Sequence, residues 1–386
     1  MPRSSPSSDD SSARDAEPAD SDAGDAPYRA VSTTRRRYLA LAGVGLSATT
    51  AGCASTESDG SPTGSGIPES ADDTSSDPEI AERGTASNDD DRESDDDTEP
   101  DDDADPESID DLPLFDAHTH IVPTEARGRD PLSTDELVDW MDATGIDRAV
   151  VLPFEYPESY PVQAPTSLVL EEVAAYPDRL VPFCAVDPRN VDGEDAAALL
   201  ERYIDRGARG FGELKIELAV DDARLEPLYE LCASYELPIL FHTDQQSMRD
   251  EVGLPRLESV LASYPEVDFI AHAHGWWSHM AADVAPRDLG TIPEGSIEAP
   301  GRIWELLGRY DNIYGDLSTL GGWNALTRDH EYGQALLESH HDQLVFGSDY
   351  LFPGQQVPLV ALFERFELEL DAWANIRSRN IENLLR

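Results

Sequence analysis

From residue 112 onward, short apolar runs alternate with longer stretches of helical periodicity. The runs occupy 112–120, 148–154, 180–187, 208–216, 238–244, 267–275, 312–318 and 343–350. Each reads as a short buried strand. Between them, Ser133-Thr134-Asp135-Glu136 forms a capping-box pattern that predicts a helix ending at Gly145. Helical patterns follow over 194–206, 223–235, 257–264, 302–310 and 335–340, and 359–386 closes the chain with one or two more. Eight strands alternating with helices over roughly 275 residues fit the size and rhythm of a (β/α)8 TIM-type barrel. A doubly wound open sheet is the competitor, but no Gly-rich first turn is present to support it.

The N-terminal third reads differently. Residues 1–34 are polar and aperiodic, and Thr34-Arg35-Arg36-Arg37-Tyr38-Leu39 then leads into a small-residue apolar run ending at Ala51. That run is too short for a stable membrane span. A basic segment, a short apolar core and a small-residue exit describe a signal peptide, and the paired arginines resemble a twin-arginine export signal. Residues 1–52 are therefore expected to be a signal region. Thr50-Ala51-Gly52-Cys53 resembles a lipobox, which makes Cys53 the expected lipidated residue and a membrane lipid the expected anchor. Residues 54–111 hold 23 acidic and 2 basic side chains among Ser, Thr, Gly and Pro. Such a segment buries too little apolar area to offset its ordering entropy, so 53–111 reads as a disordered acidic tether. The expected location is the extracytoplasmic face of the cell membrane.

Charge narrows the partners. The formal net charge is −51, with 79 acidic against 28 basic residues, of which only Lys215 is a lysine. This surface repels nucleic acid and anionic lipid. An acidic, lysine-poor surface resembles that of haloarchaeal proteins, where salt screens self-repulsion. Three cysteines make no disulfide framework, and Cys184 and Cys232 fall within apolar patterns as small core residues.

The candidate chemistry sits at strand ends. Nine histidines occur, and five close predicted strands: His118 and His120 the first, His242 the fifth, His272 and His274 the sixth. Asp349 closes the eighth. In a barrel of this type the strand C-termini converge on the active site, so residues distant in sequence meet there. Imidazoles with a carboxylate suit a divalent metal of the zinc class. Glu213 and Lys215 share a face at the end of the fourth strand, where they either contact substrate or pair with each other. Trp276 and Trp277 follow the sixth strand and either wall a substrate pocket or pack a long loop.

Asp116-Ala117-His118-Thr119-His120, Phe241-His242, Ala271-His272-x-x-Gly275, Phe346-Gly347-Ser348-Asp349 and Asn380-x-x-Asn383-Leu384-Leu385 together resemble the amidohydrolase superfamily. The likeness is to its amidohydrolase-2 branch, which includes aminocarboxymuconate-semialdehyde decarboxylase, and it covers roughly residues 111–386. The resemblance implies one divalent metal, expected to be zinc, held by His118, His120, His242 and Asp349. It implies Asp349 and His272 as catalytic groups, with Lys215 as a contact to a substrate carboxylate or oxyanion. His274 stands where the branch more often has a small or apolar residue, and is either a substrate contact or a rim residue. The expected activity is metal-dependent hydrolysis of an ester, lactone or amide in a small molecule, with non-oxidative decarboxylation as the alternative. A solute- or metal-binding surface lipoprotein without turnover is the third possibility. Substrate and oligomeric state are not specified by the sequence.

Overall fold

A computed structural model describes residues 106–386. The signal region, Cys53 and nearly all of the acidic tether lie outside the described residues. Eight parallel strands form the frame: β1 (Phe115–Thr119), β2 (Arg148–Val151), β3 (Leu180–Pro182), β4 (Phe211–Leu214), β5 (Ile239–His242), β6 (Phe269–His272), β7 (Ile313–Asp316) and β8 (Leu344–Val345). All eight predicted runs contain one. Regular pairing gives a three-stranded segment β1-β2-β3 and a five-stranded segment β4 to β8 in sequence order. Parallel bridges Cys184–Phe211 and Thr119–Tyr350 join the two segments at both seams, closing a (β/α)8 barrel.

The helices form where local chemistry and burial agree. Helix α1 (Thr134–Thr144) starts at a complete capping box between Ser133 and Glu136 and stops at Gly145, whose φ of 72° suits a residue without a side chain. Helix α2 (Thr166–Glu172) is followed by α3 (Gly193–Asp205), α4 (Glu226–Ser234) and α5 (Pro255–Ser263). The single-turn α6 (His274–Trp277), α7 (Arg302–Leu307), α8 (Thr319–Thr327) and α9 (His330–His340) come next. Three short helices, α10 (Leu362–Arg365), α11 (Leu370–Ala374) and α12 (Asn380–Leu384), end the chain. The sequence pattern does not reveal α2, α6 or α8. Helix α6 is one turn long, and α8 carries Gly321-Gly322, poor helix formers held by packing instead. Among the described residues no helix is long and apolar enough to cross a membrane.

Two apolar clusters flank the strands. The larger lies between the barrel wall and the helices and includes Ala149, Val151, Phe241, Phe269 and Ala271. The smaller fills the barrel floor with Phe115, Ala117, Val150, Leu152, Val181, Phe183, Leu240, Ile270 and Val345, sealed by Ile381 and Leu384 of α12. Strict alternation would set His118 and His120 on the face opposite Phe115 and Ala117. A register irregularity in the β1–β2 ladder between Asp116 and Thr119 lets both sets serve the barrel interior. Cys184 and Cys232 are buried free thiols, and burial pushes Cys184 up to about 12, so both stay protonated.

Candidate metal centre

The two β1 histidines are fixed from behind. His118 Nδ1 lies 2.7 Å from Asp316 Oδ2 at the end of β7, and His120 Nδ1 donates to the Leu152 carbonyl at 3.0 Å. A carbonyl oxygen and a carboxylate both accept, so each ring in its neutral form carries its proton on Nδ1 and presents a lone pair at Nε2. The two Nε2 atoms are 3.1 Å apart, and Asp349 Oδ1 sits 3.5 Å from each. Two facing lone pairs beside a carboxylate repel unless a proton or a cation lies between them.

Asp316 reaches His118 because nothing stands in its way. A Cβ at Gly347 would lie 2.2 Å from Asp316 Oδ1 and 3.1 Å from His118 Cβ, so this position requires glycine. Ser318 adds a 2.7 Å hydrogen bond from Oγ to Asp316 Oδ2. Asp349 occupies the left-handed region at φ 52°, a strained conformation for a non-glycine residue that the surrounding contacts must hold. Its backbone N–H donates to His118 O at 2.8 Å, tying the end of β8 to β1.

A second group adjoins the first. Glu213 Oε1 lies 3.0 Å from His242 Nδ1 and 2.8 Å from His272 Nε2. His242 Nε2 lies 3.1 Å from Asp244 Oδ2, and His272 Nδ1 is 3.3 Å from Ser318 Oγ. Glu213 Oε2 is buried without a hydrogen-bond partner, 3.7 Å from His120 Nε2. A buried carboxylate oxygen left unpaired is costly unless a positive charge faces it.

The titration directions follow from this crowding. Burial opposes a proton on His118, but the charges of Asp316, Asp349 and Glu213 outweigh it and push the imidazole up to about 9. Burial and the neighbouring His118 push His272 down to about 4, so that ring is neutral. Burial works against charge on Asp349, yet the adjoining His120 and the charge of His118 hold it well below the usual carboxylate range. Glu213 is likewise held low, against its burial, by Lys215, His242 and His272. The negative field that draws a proton to His118 draws a divalent cation equally.

These donors fit a metal. His118, His120 and Asp349 offer three ligand atoms within 4.8 Å of one another, and Glu213, His242 and His272 form a second such trio. A third combines His118, His272 and Asp316. The sequence-expected set of His118, His120, His242 and Asp349 is thus divided: His242 lies with Glu213 and His272. Glu213, expected to meet substrate, is buried between the trios, and His272 is buried with both ring nitrogens engaged. Asp349, with 24 % of its side chain exposed, lines a cavity of about 260 Å³ above the imidazoles. Lys215, 23 % exposed and 3.7 Å from Glu213 Oε1, lines it too.

The other expected contacts lie elsewhere. Trp276 and Trp277 are buried in the packing around α6, and Trp277 Nε1 donates to Asp316 O at 2.9 Å. Trp277 thereby supports Asp316 from behind, and neither tryptophan lines the cavity that Asp349 borders. His274 is partly buried, with Nδ1 unpartnered, and is likewise absent from that lining. Sequence reasoning did not single out Asp316, although it closes the seventh predicted strand as Asp349 closes the eighth. It also passed over Arg127 and Arg129, which line the cavity from the loop after β1.

Comparison with known proteins agrees with this architecture. The amidohydrolase family profile matches residues 115–386. No curated protein matches the chain. Among solved structures, an uncharacterised TIM-barrel protein from Bordetella bronchiseptica is similar at 20% identity and TM-score 0.52, covering 71% of this chain and 98% of that one. A 5-carboxyvanillate decarboxylase from Sphingomonas paucimobilis shares 16% identity at TM-score 0.48, covering 71% and 99%. A probable 2-pyrone-4,6-dicarboxylic acid hydrolase from Acinetobacter baumannii shares 14% identity at TM-score 0.48, again covering 71% and 99%. The Bordetella likeness bears on the fold; the family match spans every strand and every ligand candidate. With its closed barrel and its histidines and carboxylates gathered at the strand ends, the chain belongs to the amidohydrolase family.

Proposed function

We propose that this metal-dependent enzyme is a hydrolase that cleaves an ester, lactone or amide bond in a small molecule. The observation that carries the reading is Asp349: it alone of the first trio opens onto the cavity, while lying 3.5 Å from both His118 Nε2 and His120 Nε2. His118, His120 and Asp349 would hold one divalent cation, zinc by the nature of the donors, and Glu213, His242 and His272 could hold a second. When bound, the metal supplies Lewis acidity, polarising a carbonyl and lowering the pKa of water.

The chain's residues then divide the work. Asp349 is an ionised carboxylate at the cavity wall, placed to accept a proton from water and return it to a leaving group. Asp316 and the Leu152 carbonyl fix the Nδ1–H tautomers of His118 and His120, so both Nε2 lone pairs face the metal position. Lys215 presents a compact ammonium to the cavity, where a developing oxyanion or a substrate carboxylate can meet it. A ligand carboxylate that also opens onto the cavity as a proton carrier is superfluous in a protein that only stores a metal or solute.

Decarboxylation is the second reading, and Arg127, Arg129 and Lys215 favour it. Three cations on one cavity suit a carboxylic acid as substrate. Incubating the zinc-loaded chain with a panel of lactones, esters, amides and aromatic acids, and identifying products by mass, separates the two. Hydrolysis products support the first reading; loss of carbon dioxide without hydrolysis overturns it.

The N-terminal expectations stand as part of the proposal: export through the twin-arginine segment and anchoring by a lipid on Cys53. Cys53→Ser should release the protein to the medium or leave it unprocessed, and wild-type protein retained in the cytosol would overturn this.

A further inference from the structure

The two β1 histidines are held by unlike restraints. His118 Nδ1 meets the Asp316 carboxylate at 2.7 Å, whereas His120 Nδ1 meets the neutral Leu152 carbonyl at 3.0 Å. A carbonyl accepts over a broad range of angles, and rotation about a histidine Cβ–Cγ bond has only broad preferences. That single bond therefore leaves the His120 ring free to rock. Two residues beyond Leu152, Phe154 lies flat against the imidazole, with centroids 4.0 Å apart and planes 12° from parallel. Tyr160 stacks on Phe154 in turn, at 4.8 Å and 16°, and the Arg127 guanidinium lies 5.0 Å from the Tyr160 centroid.

Among the described residues, no other imidazole of the two trios has an aromatic ring flat against it. His118, His242 and His272 meet neighbouring imidazoles edge-on, at interplanar angles of 67°, 68° and 82°. The stack is itself braced. Phe154 N–H donates to Ala164 O at 2.9 Å, closing the loop 154–164 at its base. Within that loop, Glu158 Oε1 accepts from Arg189 Nη1 and from the Glu217 N–H, both at 2.7 Å, which ties it to the segments after β3 and β4. Phe154 and Tyr160 are 2% and 6% exposed, and both wall the cavity that Asp349 borders.

We infer that Phe154 and Tyr160 are positioning residues: their stack sets the plane of His120, so that its Nε2 faces the metal position without a carboxylate behind the ring. The inference rests on His120 being a metal ligand, as proposed above. A neutral carbonyl and a flat apolar face hold the imidazole while adding no negative charge to a mouth that already crowds Glu213, Asp316 and Asp349. Neither aromatic side chain takes part in bond breaking.

The test uses Co2+ alone as probe, with equilibrium dialysis of the full chain for affinity and the visible absorption of the bound ion for ligand geometry. Phe154→Leu keeps an apolar side chain but removes the flat face, and should weaken Co2+ binding about tenfold and alter the visible band. Tyr160→Leu should weaken it about threefold and alter the band in the same sense. Tyr160→Phe, which keeps the ring, should match the wild type in both readouts. Phe183→Leu, a fully buried ring of the barrel floor, should lose stability in denaturant yet keep the wild-type affinity and band. Circular dichroism reports folding, and if Phe154→Leu does not fold, the two Tyr160 variants decide. Wild-type affinity and band in the leucine variants would overturn the inference, as would Tyr160→Phe or Phe183→Leu perturbing the band as much as they do. A wild-type chain that takes up no Co2+ would overturn the metal assignment, and this inference with it.

Discussion

The two ends of the barrel interior are built by the same strands with opposite chemistry. At the floor, Leu240, Ile270, Val345 and Phe115 pack with Phe183 and the α12 residues Ile381 and Leu384. Two residues further along, β5 and β6 end in His242 and His272, and β1 ends at the histidine pair. The floor is apolar and buried, so its stability comes from burial and close packing. The mouth gathers imidazoles and carboxylates whose mutual repulsion is relieved only by protons or cations. The floor therefore fixes where the strands end, and the mouth spends that rigidity on holding like charges together.

The largest effect should come from breaking the mouth. His118→Ala should remove the bound metal and lower activity by roughly a thousandfold or more, about 4 kcal/mol of transition-state stabilisation, while circular dichroism still reports a folded barrel. Full metal content in His118→Ala/His242→Ala would sink both trios as metal sites. Breaking the floor should do the reverse. Phe183→Ala removes a fully buried ring and should cost about 3–5 kcal/mol in denaturant unfolding, with metal content per folded chain unchanged. If Phe183→Ala empties the metal site at unchanged stability, the two ends are not separable as described.

Lys215→Arg probes the boundary between them. It should fold and bind metal yet lose roughly a hundredfold in kcat/KM, about 2.7 kcal/mol, because guanidinium is larger, planar and differently hydrated. Activity within about threefold of wild type at equal metal content would make Lys215 a plain partner of Glu213. The smallest effect is expected one layer back. Asp316→Asn keeps the shape but weakens the hold on the His118 tautomer, and should lower metal affinity by roughly tenfold. Equilibrium dialysis against zinc measures it, and affinity equal to wild type would show that the His118–Asp316 contact serves packing alone.

The two ends were not equally legible. Eight apolar runs, the capping box at Ser133 and the stop at Gly145 are local patterns, so the sequence alone determined the alternation of strands and helices. It also determined that histidines and Asp349 meet at one end, because parallel strands in a barrel all present their C-termini to the same face. What it could not determine is which of those residues touch. That depends on the stagger of closed strands and on an irregularity in the β1–β2 ladder, and neither leaves a period in the sequence. Only the tertiary structure decided that His242 joins Glu213 and His272 and that Asp316 backs His118 across a glycine. It likewise buried Trp276 and Trp277 behind the site and brought Arg127 and Arg129 over it. The reason is that contacts between strands distant in sequence are set by closure of the whole barrel, while periodicity reports only the strand on which a residue lies.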